Sequence, residues 1–446
     1  MTYKIYTLGC KVNEYESEVM KDVLENNGYV KSDNPDVCII NTCTVTNQSD
    51  VKSRKLIRSV RRKNPKALII ATGCMIQNKK DGLGDLDIDI ALGNKDKSKI
   101  MEYINNYHGE KICKVYDIED MDFEDMELNN FDLTRAYIKV QDGCDNYCAY
   151  CIIPYVRGHV RCKKLDVILH EAKNLIKNGH KEIVLTGIHT GNYHDGNKDF
   201  ADLLEAMCKL DGLERLRISS VEVTELDNKV LDVIKNNKIL TNHMHIPLQS
   251  GSDTILKSMN RKYDVKYFKD KIKKIREIRP KMSITTDVIV GFPGETDELF
   301  AETVKTIKEI GFTKIHVVPY SKREGTVAAA MSNQVDGNIK KERVRKLLEL
   351  SKELEQKYMS NYINKNVSFI PETIKDGYLL GHTDNYLLIK SVGDKHLLGK
   401  TVKVKVICEN YPYLIGEVLE KVNIWQLYKI NDKLMLSRRD KNERKW

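Results

Sequence analysis

A chain of 446 residues has room for about three domains. With 41% hydrophobic and 31% charged residues it has the composition of a globular protein, which excludes disorder as its main state. No apolar run approaches the roughly 18 residues that span a bilayer, and the opening MTYKIYTLGC lacks the apolar stretch of a secretion signal, so a cytoplasmic protein without a membrane partner is expected. Lys and Arg number 73 against 64 Asp and Glu, a formal charge of +9 that suits a polyanionic partner. The 11 cysteines, an odd number, argue against a disulfide framework and for metal or thiolate chemistry.

The first hundred residues alternate strand and helix. Short apolar runs at Lys4 to Leu8, Val37 to Ile40 and Ala67 to Ala71 each lead into a helical pattern, the first over Asn13 to Asn26, which predicts a doubly wound parallel sheet in a domain spanning 1–116. Residues 117–132, DIEDMDFEDMELNNFD, hold eight acids and no Lys or Arg and read as a solvated acidic linker. Six β-rich runs then recur between helical segments: AYIKVQ, EIVLTG, RLRISS, HMHIPL, SITTDVIVG and TKIHVVP. They predict a partial (β/α)6 barrel over 133–362, closed by a long helix from Lys340 to Tyr362, with its reactive face at the strand C-termini. Alternating strands such as YLLIK and TVKVKVI over 363–430 read as a small antiparallel β-barrel, followed by a basic tail at 431–446. GDKHLLGKT, Gly393 to Thr401, has five residues between its glycines where a phosphate-binding loop needs four, and it runs into a strand.

Cys144, Cys148 and Cys151 stand in a CxxxCxxC spacing just after a strand. Three thiolates on one loop suit three corners of a 4Fe-4S cluster and leave one iron open, whereas structural zinc prefers four ligands at CxxC spacing. Cys10, Cys43 and Cys74 share a position instead of a spacing, each just after a parallel strand and before a helix. In a doubly wound sheet such ends converge on one crevice, so these three predict a second, auxiliary 4Fe-4S cluster. Cys38, Cys113, Cys162, Cys208 and Cys408 have no partner in register and read as ordinary small residues. Lys52 to Lys66 carries eight basic residues and no acid, which favours phosphate contact by Arg54, Arg58, Arg61 and Arg62 over a merely solvated helix face. Tyr378, His382 and Tyr386 could stack on RNA bases or serve the barrel core.

The CxxxCxxC loop, with Tyr150 before its last cysteine, resembles that of the radical S-adenosylmethionine (SAM) enzymes. Together TLGCKVNEYESE, NTCTVTNQSDVKSRK, TGCMIQ, QDGCDNYCAYCIIPYVRG, HIPLQSGSD, TTDVIVGFPGE and PYSKREGT are similar to the methylthiotransferase branch of that family across essentially the whole chain. The resemblance implies a radical SAM barrel, a C-terminal barrel of the RNA-binding TRAM type, two 4Fe-4S clusters, and SAM as both methyl donor and radical source. It makes Tyr150, Thr186, Gly187, Ser219, Ser220, Glu222, Gln249, Asp287, Gly291 and Phe292 candidate cofactor contacts. KVN after Cys10 and TVT after Cys43 are most similar to bacterial enzymes acting on N6-threonylcarbamoyladenosine (t6A) in tRNA. That implies conversion of position 37 in an anticodon stem-loop to the 2-methylthio form (ms2t6A), with a flavodoxin- or ferredoxin-type electron donor and a sulfur donor as partners. Arg157 and Arg323 are the expected cations for the threonylcarbamoyl carboxylate. Isopentenyladenosine in tRNA, a ribosomal-protein aspartate, and a non-catalytic iron-sulfur or zinc RNA-binding role are the alternatives.

Overall fold

The computed structural model describes residues 1–78, 82–120 and 122–419; the expected basic tail at 431–446 and the end of the 363–430 segment lie outside them. The described residues divide into two compact units that part between Glu355 and Gln356.

The first unit opens with β1 (Thr2–Thr7), α1 (Lys11–Asn26), β2 (Val30–Lys31), β3 (Val37–Thr42), α2 (Asn47–Lys63), β4 (Leu68–Gly73), α3 (Cys74–Asn78), β5 (Ile90–Leu92), α4 (Ile100–Asn105) and β6 (Ile112–Lys114). The strands form one all-parallel sheet in the order β2-β1-β3-β4-β5-β6. Every residue of β3 is buried, as a central strand covered on both faces requires. Its alternating side chains separate two cores: Cys38 and Ile40 pack with Ile57 and Val60 of α2, whereas Val37 and Ile39 pack with Met20 and Leu24 of α1 and Ile100 of α4. The doubly wound sheet is therefore present as expected, with its order reversing beside β1, where α/β sheets open a crevice at their strand C-termini.

The acidic segment is not a solvated connection. Met126, Leu128 and Phe131 are buried in the same core as Tyr15 and Val19 of α1 and the barrel strands, because the acids alternate with apolar side chains that find that core. One side of α1 therefore packs into the barrel core, and the N-terminal sheet and the barrel belong to one compact unit.

Six parallel strands follow in two triplets. Arg135–Lys139, Glu182–Thr186 and Arg215–Ile218 form one, and His243–His245, Ser283–Val290 and Lys314–Pro319 the other. A bridge between Leu216 and Leu240 joins them into an arc, the open six-strand barrel anticipated from the sequence. The second unit begins within the helix Gly337–Ser360, earlier than the expected boundary at 362, because Tyr358, Met359 and Tyr362 pack on the C-terminal barrel core. That barrel is closed and five-stranded. It is not wholly antiparallel: Leu388–Val392 pairs parallel with Tyr413–Val418. An odd number of strands cannot alternate direction all the way round a closed ring, so at least one neighbouring pair must be parallel.

Candidate active site

Cys43 and Cys74 directly follow the ends of β3 and β4, Cys10 stands three residues past the end of β1, and neighbouring glycines allow those ends to approach. Gly9, at φ +111°, lies so close to Cys43 that a Cβ there would stand 3.0 Å from its Cβ and 3.2 Å from its Sγ; Gly73, at φ +99°, would press a Cβ to 2.6 Å from the Thr42 carbonyl. Asn13 ties two of the strand ends together, its Nδ2 donating to the carbonyls of Leu8 at 2.7 Å and Thr42 at 3.0 Å. Ser53 of α2 exchanges hydrogen bonds with the Cys43 backbone, and Asn94 Nδ2 lies 3.5 Å from Cys74 Sγ. The thiols are mutually close enough that Cys74 and Cys10 both act on Cys43, whose pKa burial pushes up. Cys10 remains open to solvent; the packing round its sulfur raises its pKa, and the Arg157 guanidinium opposes that rise.

The second set is local. Cys144, Cys148 and Cys151 occupy a loop entered through Gly143, at φ +73°, where a Cβ would lie 1.9 Å from the His159 carbonyl oxygen, so no other residue fits. Gln141 Nε2 donates to the carbonyls of Asp142 and Gly143 at 2.7 Å each, while its Oε1 accepts from the His189 backbone N–H. The Cys144 N–H reaches Gly158 O at 3.0 Å. Arg261 Nη1 donates to Cys148 Sγ at 3.2 Å and pairs with Glu222, and His189 lies 3.8 Å from Cys144 Sγ and pairs with Glu225. Burial disfavours the imidazolium of His189, but Cys144 and Glu225 outweigh it and raise its pKa to about 10. Burial lifts the Cys151 thiol to about 12.

Among the described residues no group of three or more His, Cys, Asp or Glu side chains converges tightly enough to grip a single metal ion. The thiolates of a cubane each bind a different iron and stand apart, so two sets of three thiols with cationic neighbours have the donor chemistry for such clusters. One short helix joins the sets: Cys74 packs against Ile152 and Val156, in and beside α5 (Ile153–Arg157), which begins two residues after Cys151.

The other expected residues divide. Thr186, Ser219, Ser220, Glu222 and Gln249 lie at or just beyond barrel-strand ends, Gln249 in an unusual left-handed backbone at φ +63°, whereas Asp287 lies within the strand Ser283–Val290, 3.2 Å from His245. Gly187 abuts Gln141, where a Cβ would meet Oε1 at 2.8 Å, and Gly291 donates its N–H to Glu295. Phe292 is fully buried in an apolar cluster with Ala149 of the cysteine loop, Ile255 and Tyr320, and Tyr150 packs against that cluster.

Both expected substrate cations are corrected. Arg157 is 0% exposed and bonded to Glu16, Asp142 and Asn13. Arg323, also buried, binds Asn47, Asp50 and Thr44 and so docks the barrel onto the Cys43 loop. Neither guanidinium is open to a ligand's carboxylate, because each neutralises an acid at the junction of sheet and barrel. Of the expected arginines on α2, Arg54 and Arg58 bind Asp85 and Arg61 binds Asp89. Lys52, Lys55, Arg62 and Lys63 occupy the exposed face and make no hydrogen bond or ion pair among the described residues. In the C-terminal barrel His382 and Tyr386 stack on each other at 4.5 Å, and Lys390 lies 4.2 Å over Tyr378.

Arg261, His189, Glu225, Asn13 and Glu16 were not singled out in the sequence. Asn13 and Glu16, at the third and sixth positions after Cys10, carried a positional signal; Arg261 and His189, more than 35 residues from the cysteines they touch, carried none.

Residues 138–307 match the Radical SAM superfamily and residues 2–93 a family described as Uncharacterized protein family UPF0004. The chain is 43% identical to the threonylcarbamoyladenosine tRNA methylthiotransferase MtaB of Bacillus subtilis, covering 94% of this chain and 97% of that one. It is 38% identical to the MtaB of Thermotoga maritima, over 92% and 95%, and 36% identical to a tRNA-2-methylthio-N(6)-dimethylallyladenosine synthase of Clostridium botulinum, over 93% and 96%. The solved structure of the radical SAM methyltransferase TsrM from Kitasatospora setae shares the fold, with a TM-score of 0.53 at 13% identity over 71% of this chain and 72% of that one.

Proposed function

This chain belongs to the radical SAM tRNA methylthiotransferases of the MtaB type, and we propose that it converts t6A at position 37 of tRNA to ms2t6A at adenine C2. The observation that carries the reading is the pair of three-thiol sets brought to one junction by α5, with Cys74 packed on the helix that follows Cys151. Two 4Fe-4S clusters and SAM, held by Cys10, Cys43, Cys74 and by Cys144, Cys148, Cys151, would supply a methylated sulfur and a hydrogen-abstracting radical. An electron donor, a sulfur donor and a cytoplasmic location complete the expectation.

The chain's own residues do the positioning. Arg261, braced by Glu222, fixes Cys148, while His189, braced by Glu225, flanks Cys144. Arg323 seats the Cys43 loop on the barrel mouth, so a base extruded into the junction meets both thiol sets. Extrusion costs a few kcal/mol, and least for a loop nucleotide, which favours an anticodon-loop adenine. Lys52, Lys55, Arg62 and Lys63 provide exposed charge for phosphates.

With Arg157 and Arg323 neutralised, the cation for the threonylcarbamoyl carboxylate is Lys11. It follows Cys10 directly, is half-buried, makes no hydrogen bond or ion pair among the described residues, and is near enough to Asp287 of the barrel to help lower that carboxyl's pKa, behind the larger effects of His245 and His316. An isopentenyl chain offers an ammonium nothing to bind. Anaerobically reconstituted enzyme should methylthiolate t6A anticodon stem-loops, read by nucleoside mass spectrometry, and prefer them to isopentenyladenosine ones. The reverse preference would overturn the substrate assignment. Lys11→Gln should raise the KM for the t6A substrate far more than it lowers kcat, and Lys11→Arg should restore it.

A further inference from the structure

Arg157 and Lys97 are among the largest fully buried side chains of the protein and belong to one ion network. Glu16, on α1, pairs with Lys97, with Lys139 at 2.8 Å and with Arg157 at 3.0 Å. Asp142 pairs with Lys139 at 2.6 Å, Arg157 at 3.1 Å and Arg161 at 3.3 Å. Three buried cations thus share two carboxylates, with Arg161 at the edge. Glu124, the next acid to feel Lys97 and Lys139, has its pKa pushed up by burial. Uncompensated buried charge is costly, so a surplus of cations calls for further anions nearby.

The network reaches three of the site cysteines. Asn13, bonded to Arg157 Nη2 at 2.9 Å, lies three residues past Cys10; Asn94, bonded to Lys97, contacts Cys74; and Asp142 accepts the N–H of Gly143, which precedes Cys144. Cys74 and Cys10 themselves act electrostatically on Arg157. Among the described residues, the Nε of Arg157 is buried and finds no acceptor. A buried N–H of a cation without an acceptor is a destabilising arrangement that a sulfur ligand at the auxiliary site would relieve.

We propose that Arg157 is a positioning residue of the auxiliary cluster, its fork held by Glu16, Asp142 and Asn13, its free Nε–H directed to a sulfur held by Cys10 and Cys74, and its charge raising that centre's reduction potential. The proposal rests on the two-cluster reading above. Hydrogen bonds and positive charge beside cluster sulfurs raise the potential, and removing such an outer partner weakens metal retention about 10-fold or more.

The test uses full-length protein in which Cys144, Cys148 and Cys151 are Ala, so that bound iron reports the auxiliary site alone. Iron retained after desalting and the midpoint potential from an EPR-monitored redox titration are compared for this parent, Arg157→Lys and Arg157→Gln. Arg157→Lys keeps the charge but lacks Nε–H, so its potential should move negative; Arg157→Gln should move further and lose iron about 10-fold faster. An unchanged or more positive potential in Arg157→Lys overturns the proposal, and that measurement decides alone if Arg157→Gln does not fold. A parent that binds no iron overturns both this inference and the two-cluster reading, whereas a parent cluster indifferent to both substitutions overturns this inference only.

Discussion

Cys144, Cys148 and Cys151 lie within eight residues on one loop, while Cys10, Cys43 and Cys74 are 33 and 31 residues apart and follow three different strands. The first set owes its shape to local backbone: a glycine that no Cβ can replace, a glutamine bracing the turn, a return hydrogen bond from Cys144 to Gly158. The second owes its shape to a parallel sheet, to an asparagine linking two strand ends and to buried ions between sheet and barrel. A site built on one loop tolerates change elsewhere in the fold. A site built from three strand ends inherits every weakness of the packing that holds them.

The largest effect should come from replacing Cys144, Cys148 and Cys151 with Ala, which abolishes 5′-deoxyadenosine formation and removes half of the reconstituted iron. Replacing Cys10, Cys43 and Cys74 should remove the other half yet leave 5′-deoxyadenosine formation running. Measured together, iron content and product release break the comparison if either triple variant loses all of its iron, or if the Cys10, Cys43 and Cys74 variant stops releasing 5′-deoxyadenosine.

Gly143→Ala and Gly73→Ala then compare the two kinds of scaffold. Each puts a Cβ into backbone at positive φ, at 1.9 Å and 2.6 Å respectively, so each should cost well over the roughly 1 kcal/mol of the left-handed conformation alone. Gly143→Ala should lose only the radical-site iron. Gly73→Ala should also lower the Tm, because β4 is a central strand of the sheet.

On α2, Lys52, Lys55, Arg62 and Lys63 changed together to Gln should flatten the salt dependence of tRNA binding, by about 0.9 in log-log slope for each duplex phosphate left unneutralised or about 0.7 for each single-stranded one. Arg54, Arg58 and Arg61 changed to Gln should leave that slope unmoved and cost about 1 kcal/mol or less of stability per pair, since their partners are Asp85 and Asp89 on a partly exposed surface. A filter-binding series in salt separates the two outcomes.

The smallest effect should be that of Thr46→Ala. Its side chain caps α2 by accepting the Ser49 N–H, and losing the cap should cost about 1 kcal/mol in thermal unfolding, with a modest loss of auxiliary iron because the Cys43 loop enters that helix.

Patterns of short range carried the sequence reading: the alternation of strand and helix, the CxxxCxxC loop, and the recurrence of a cysteine after each of three strands, which the topology rule for parallel sheets turns into one site. Those features are periodicities and spacings, so they survive without knowing what packs against what. The fate of the charges was decided only by tertiary structure. Arg157 and Arg323 are indistinguishable in sequence from free substrate cations, and Arg54, Arg58 and Arg61 from phosphate binders, until Glu16, Asp142, Asp50, Asp85 and Asp89 are brought beside them. The acidic segment likewise read as solvated because composition averages over its residues, while the core selects Met126, Leu128 and Phe131 individually. Whether a charge meets a ligand or a neighbouring acid depends on contacts across tens to hundreds of residues, and a single chain's local pattern holds no record of them.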